Sequence, residues 1–84
     1  MNNELSQGQT PTLGQILKEV RESKNLSPES VLDETGVSKE YLRRLEADEL
    51  KNTSASVLWK LAEYYSIDFK PLAVKAGIII KTPK

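Results

Sequence analysis

The stretch Ser27-Pro28-Glu29-Ser30-Val31-Leu32-Asp33-Glu34-Thr35-Gly36-Val37-Ser38-Lys39-Glu40-Tyr41-Leu42-Arg43-Arg44-Leu45-Glu46 decides the fold. Ser27 suits a helix cap, and Pro28 falls at the first helical position, where no backbone donor is needed. Val31 and Leu32 are the apolar side chains of this short helix, and both are expected to face inward. Gly36 stops it by supplying the left-handed residue that a helix C-terminus prefers. Ser38 then caps a second helix whose inner face is Leu42 and Leu45, with Val37 filling the turn. Two short helices joined by a tight glycine turn are a geometry with which many small proteins present a helix to the DNA major groove.

Working outward, Thr12 with Gln15 three residues on fits a capping box. Behind it Leu13, Ile16, Leu17 and Val20 recur at helical spacing, and the pattern ends near Lys24-Asn25. After Glu46, residues Asp48 to Thr53 read as a polar loop. Ser54 caps the next helix, which is apolar along Val57, Leu58, Leu61, Ala62 and Tyr65. Asp68 caps a short last helix, with Pro71 tolerated in its first turn. Leu72, Ala73 and Ala76 face inward there, and Gly77 ends it.

The expected architecture is therefore all-α: a compact five-helix domain over residues 12–80, with the helix-turn-helix at its second and third helices. Residues 1–11 are rich in Asn, Gln, Ser, Thr and Gly and read as a flexible arm. Residues 81–84 form a polar tail. Ile78-Ile79-Ile80 is either a cover across the core or a short strand that pairs with another chain, with the cover favoured.

At 84 residues the chain builds one core at most. It has no cysteine and no histidine, which excludes disulfides, thiolate or imidazole metal sites, and Cys-His or Ser-His chemistry. An enzyme is not expected, nor a cofactor. No apolar run approaches the roughly 20 residues of a membrane span, and the polar N-terminus lacks a signal-peptide pattern, so a cytoplasmic protein is expected. The net charge is zero. Residues 1–50 nevertheless sum to −4 and residues 51–84 to +4, which places the turn-containing segment in the acidic half.

The residues Leu13-Gly14-Gln15-Ile16-Leu17, Val20-Arg21, Leu26-Ser27, Gly36-Val37-Ser38, Tyr41-Leu42 and Leu45-Glu46 together resemble the phage-repressor-like helix-turn-helix domains of the Xre/Cro type. The similarity continues through Leu58, Leu61-Ala62 and Ala76-Gly77, from about Leu13 to Ile80. It implies a lambda-repressor-like fold and sequence-specific binding of double-stranded DNA by a transcriptional regulator, with the third helix in the major groove. A homodimer is implied too, because one short recognition helix reads few base pairs. The resemblance also implies that Arg21 and Glu46 join across the domain as a structural ion pair, since a guanidinium can meet a carboxylate with two parallel hydrogen bonds.

For DNA contact the resemblance puts Ser38, Lys39, Glu40, Tyr41, Arg43 and Arg44 on or near the exposed face of the third helix, with Lys51 on the rim beyond it. Arg44 suits guanine O6 and N7, and Glu40 can accept from a cytosine amine. Arg43 or Tyr41 suits phosphate.

Four departures from the family pattern support a second reading. Pro28 stands where the family often has a phosphate-binding glutamine. Leu32 replaces a small alanine, which predicts helices set farther apart or rotated. Ala47-Asp48-Glu49-Leu50-Lys51 replaces a basic Arg-Gly-Lys-like loop, and its acids would repel phosphate at close range. Glu29, Asp33 and Glu34 make the preceding helix acidic as well. Cytoplasmic domains of the RodZ type share this fold and a similar acidic loop, and dock on a protein partner. The alternative is thus a protein-docking adaptor that uses the acidic loop and the second helix.

Overall fold

The computed structural model describes residues 11–78. Five helices follow one another: α1 Leu13–Ser23, α2 Pro28–Thr35, α3 Lys39–Glu46, α4 Ala55–Tyr65 and α5 Phe69–Lys75. Among the described residues there is no strand. The residues expected to form the flexible arm, apart from Pro11, lie outside the described residues, as do Ile79, Ile80 and the tail.

The helix starts follow from short hydroxyl side chains. Thr12 accepts from the Gln15 N–H at 3.1 Å while its own N–H donates to the Gln15 side chain at 2.9 Å, closing a capping box. Ser27, Ser38 and Ser54 accept from Ser30, Tyr41 and Val57 in the same way. Asp68 occupies the cap position of α5, but its carboxylate makes no capping bond, contrary to expectation. The backbone alone turns the chain there, with Asp68 at φ −72° and ψ 135°.

Gly36 closes α2 at φ 80°, a left-handed conformation that costs a side-chain-bearing residue energy and costs glycine little. The Thr35 hydroxyl pins the same turn: it donates to the Val31 carbonyl at 2.7 Å and accepts from the Val37 N–H at 3.1 Å. Val37 is thereby held in the core between α2 and α3.

α1 packs on α3, α2 on both α3 and α4, and α4 on α5. The core they enclose includes Leu17, Val31, Leu42, Leu45, Leu58, Leu61, Tyr65 and Leu72. Val31 is fully buried, whereas Leu32 is 37% exposed, so the expectation that both face inward is corrected for Leu32. In a helix of two turns neighbouring residues lie about 100° apart, and only one of them can take the single inward position. Leu50 and Ile78 are half-buried against the core. Trp59 is 49% exposed and Val74 65% exposed, and Trp59 packs edge-on to Phe69 at a centroid distance of 5.2 Å.

α1 meets α3 at Gly14, where a Cβ would lie 2.5 Å from the Glu46 carbonyl oxygen and 2.6 Å from that of Leu45. The end of α3 is therefore seated directly on the first turn of α1.

Candidate nucleic-acid interface

α3 is a two-turn helix with one apolar edge. Leu42 and Leu45 are buried on it, while Lys39, Glu40, Arg43 and Arg44 are exposed on the opposite side. Ser38 stands at the start, and its hydroxyl is engaged by the Tyr41 N–H at 3.0 Å. Tyr41 is half-buried and its hydroxyl accepts from the Ser54 N–H at 3.3 Å, so this side chain braces α3 against the start of α4. Lys51 is exposed in the loop between α3 and α4, where it lines a groove of about 320 Å³ with Thr12, Asp48 and Lys75. The structure thus brings Lys39, Glu40, Arg43 and Arg44 onto one solvent face and sets Tyr41 and Lys51 apart from it.

Each cation of α3 is met by an acid. Arg43 donates to Glu40 through Nε at 3.2 Å and through an Nη at 2.9 Å, and Arg44 Nε donates to the same carboxylate at 3.1 Å. Arg43 also lies 3.6 Å from Glu49, and Lys39 Nζ bonds Glu29 on α2 at 3.2 Å. The two arginines hold the Glu40 carboxyl down to about 2, first through hydrogen bonds and then through their charge. Glu29 is also lowered, by a hydrogen bond from its own backbone and by Lys39. All these side chains are at least half exposed to water, so the pairs are weak and exchangeable.

Behind the exposed face lies a second, sheltered pair. Arg21 of α1 bonds Glu46 at the end of α3 through Nε at 2.7 Å and through a second nitrogen at 3.0 Å. Its remaining nitrogen donates to the Leu26 carbonyl at 2.9 Å. With side-chain exposures of 12% and 9%, the pair is largely removed from water. The hydrogen bond to Glu46 raises the Arg21 pKa, and burial opposes it.

The loop that follows α3 departs from the expectation of an acidic rim. Asp48 turns inward to α1: it accepts from the Gly14 N–H at 2.9 Å and from the Thr12 hydroxyl. Its φ of 59° is left-handed, and these bonds hold it there. Of the two loop acids, Glu49 is the one that faces the α3 surface, through Arg43. No local spacing in the sequence signals this role of Asp48, whose partners lie more than thirty residues away in the chain. The Glu40 pairings did have a signal, the spacings i,i+3 and i,i+4 that put helix side chains side by side.

A family model described as helix-turn-helix matches residues 17–72, a span that opens within α1 and closes within α5. The chain belongs to the Xre/Cro-type helix-turn-helix family. This is a family of DNA-binding regulatory domains. In this helix-turn-helix protein the turn is residues 36–38 and the second helix of the motif is α3. No curated protein and no solved structure matches the chain. Among the described residues no helix is long and apolar enough to cross a membrane.

Proposed function

We propose that the protein is a sequence-specific transcriptional regulator that lays α3 in the major groove of double-stranded DNA, acting as a dimer. The observation that carries this reading is the exposed α3 face, where Lys39, Glu40, Arg43 and Arg44 stand together on a helix seated by Leu42 and Leu45. Arginine suits guanine O6 and N7, a carboxylate suits the cytosine amine, and lysine suits phosphate. Arg44, one turn on from Glu40, is the side chain assigned to a guanine, and Arg43 and Lys39 are assigned to backbone. Ser38 stands at the start of this face, and Lys51 lies off it, in the loop between α3 and α4. Tyr41 contributes by holding α3 against α4. The Arg21–Glu46 pair serves the fold.

Selection from a randomised pool of duplex oligonucleotides at low salt tests this reading. The expected result is a recovered consensus whose affinity falls steeply with salt, in proportion to the phosphates neutralised. Retention of no duplex at low salt would rule the reading out.

A protein-docking adaptor of the same fold is the second reading. It is favoured by the pairing of every α3 cation with an acid and by the acids of α2. Conversion of Glu29, Asp33 and Glu34 to lysine should abolish capture of a protein partner under it, and unaltered capture counts against it.

A further inference from the structure

The ion pairs on α3 bear on how a helix so nearly neutral could discriminate among DNA sequences. Lys39, Arg43 and Arg44 face Glu29, Glu40 and Glu49, so positive and negative charges on this surface balance. Affinity for DNA of arbitrary sequence comes almost wholly from cations that neutralise phosphate. Each exposed pair is weak, but an arginine that leaves Glu40 for a phosphate leaves the carboxylate charge facing the DNA backbone, so the exchange gains less than an arginine without an acid beside it would.

Glu40 occupies a particular place in this arrangement. It is in the first turn of α3, one helical turn before both arginines, and its two oxygens take three hydrogen bonds from them at 2.9–3.2 Å. Arg43 reaches it at i,i+3 and Arg44 at i,i+4, spacings that a helix holds without help from any other element. Its carboxylate stays ionised throughout the physiological range.

We infer that Glu40 is a specificity-determining residue that withholds Arg43 and Arg44 from phosphate, so that productive binding requires a base pair able to satisfy the carboxylate. This rests on the reading of α3 as the DNA-reading helix. On arbitrary sequence the carboxylate is either left with its arginines, which keeps them from the backbone, or stranded beside phosphates. On a matching site a cytosine amine takes the carboxylate, and Arg44 is free to bond a guanine. The discrimination comes from penalising the wrong sequences as much as from contacts to the right one. Glu29 and Glu49 temper Lys39 and Arg43 in the same sense, but each meets a single cation.

The experiment compares the full chain with Glu40→Gln, which keeps the shape and removes the charge. Glu63→Gln on α4 makes the same charge change outside the α3 surface. Each protein is titrated by fluorescence anisotropy into the selected duplex and into a mixed-sequence duplex over a range of salt. Glu40→Gln should bind the mixed-sequence duplex about tenfold more tightly at low salt, with the slope of log K against log salt steeper by about one to two units. The ratio of selected to mixed affinity should fall, and Glu63→Gln should change these quantities much less. If the original chain selects its site and Glu40→Gln shifts neither slope nor ratio beyond the Glu63→Gln control, the role of Glu40 is refuted and the DNA reading stands. If neither the original chain nor Glu40→Gln retains either duplex at low salt, both fall together.

Discussion

The carboxylate of Asp48 accepts the backbone N–H of Gly14 at 2.9 Å, so the loop that leaves α3 caps the helix that opens the domain. The same carboxylate bonds the Thr12 hydroxyl, and its residue is held at φ 59°. Two effects are thus coupled at one position, a cap that stabilises and a left-handed backbone that costs. Asp48→Ala loses the cap and keeps the strain, and should cost about 1–2 kcal/mol. Asp48→Gly loses the cap but relieves the strain, and should be the milder change. Urea unfolding of the two variants checks the order.

Gly14 is also the point where α1 touches the backbone of α3. A methyl group there would meet two carbonyl oxygens at 2.5 and 2.6 Å, neither of which can swing aside as a side chain would. Gly14→Ala raises intrinsic helix propensity, yet the helices must part to admit it. A net loss of about 1–3 kcal/mol is expected from such overpacking. Thermal unfolding followed by circular dichroism would register it, and a stabilised variant would show that α1 sits farther from α3.

Arg21 and Glu46 join the same two helices from side chain to side chain. Removing either leaves a largely buried charge without its partner, so Arg21→Ala and Glu46→Ala should each cost about 3 kcal/mol. Arg21→Lys should recover only part of that loss, because an ammonium cannot make two parallel bonds to the carboxylate and a third to the Leu26 carbonyl. The paired variant should lose less than the sum of the single losses, as a double-mutant cycle would show.

Tyr65 is fully buried, and its hydroxyl has no hydrogen-bond partner among the described residues. Burial, with Glu46 nearby, pushes its ionisation up to about 12 from the ordinary 10.0. The folded state therefore holds this proton more tightly than the unfolded chain. The corresponding stability is fully present below about pH 10 and is lost as pH rises toward about 12. Tyr65→Phe removes an unpartnered polar atom, and near pH 7 it should be neutral or slightly stabilising. It should also flatten the decline in stability over that alkaline range, measured by denaturant midpoints at several pH values.

Much of the fold was legible in the residues because its signals are local. Thr12, Ser27, Ser38 and Ser54 each precede an apolar pattern of period 3.6 and each caps the helix it precedes. Gly36 marks its turn for the same reason. The exposure of Leu32 is not legible in the sequence, because a two-turn helix with Val31 beside it does not show which neighbour faces inward. The Asp68 side chain was misread because a residue type that often caps need not make the bond. Asp48 was read as a free acid because its bonds to Thr12 and Gly14 depend on tertiary structure, which no short spacing reveals. The family resemblance, which puts Ser38 and Tyr41 there as well, places Lys39, Glu40, Arg43 and Arg44 on or near the exposed face of α3. Their mutual pairing needed the question of which charges lie one turn apart.

If α3 reads bases, Arg44 is the side chain that shows it most directly. The decisive measurement is the affinity of Arg44→Ala for every single-base-pair variant of the selected duplex, beside that of the original chain at the same salt. With Arg44 on a guanine, preference is relaxed at one G·C pair, where discrimination falls by about 1–3 kcal/mol, and is retained at the other positions. Uniform weakening across all variants, or no change at any position, would contradict base reading by α3.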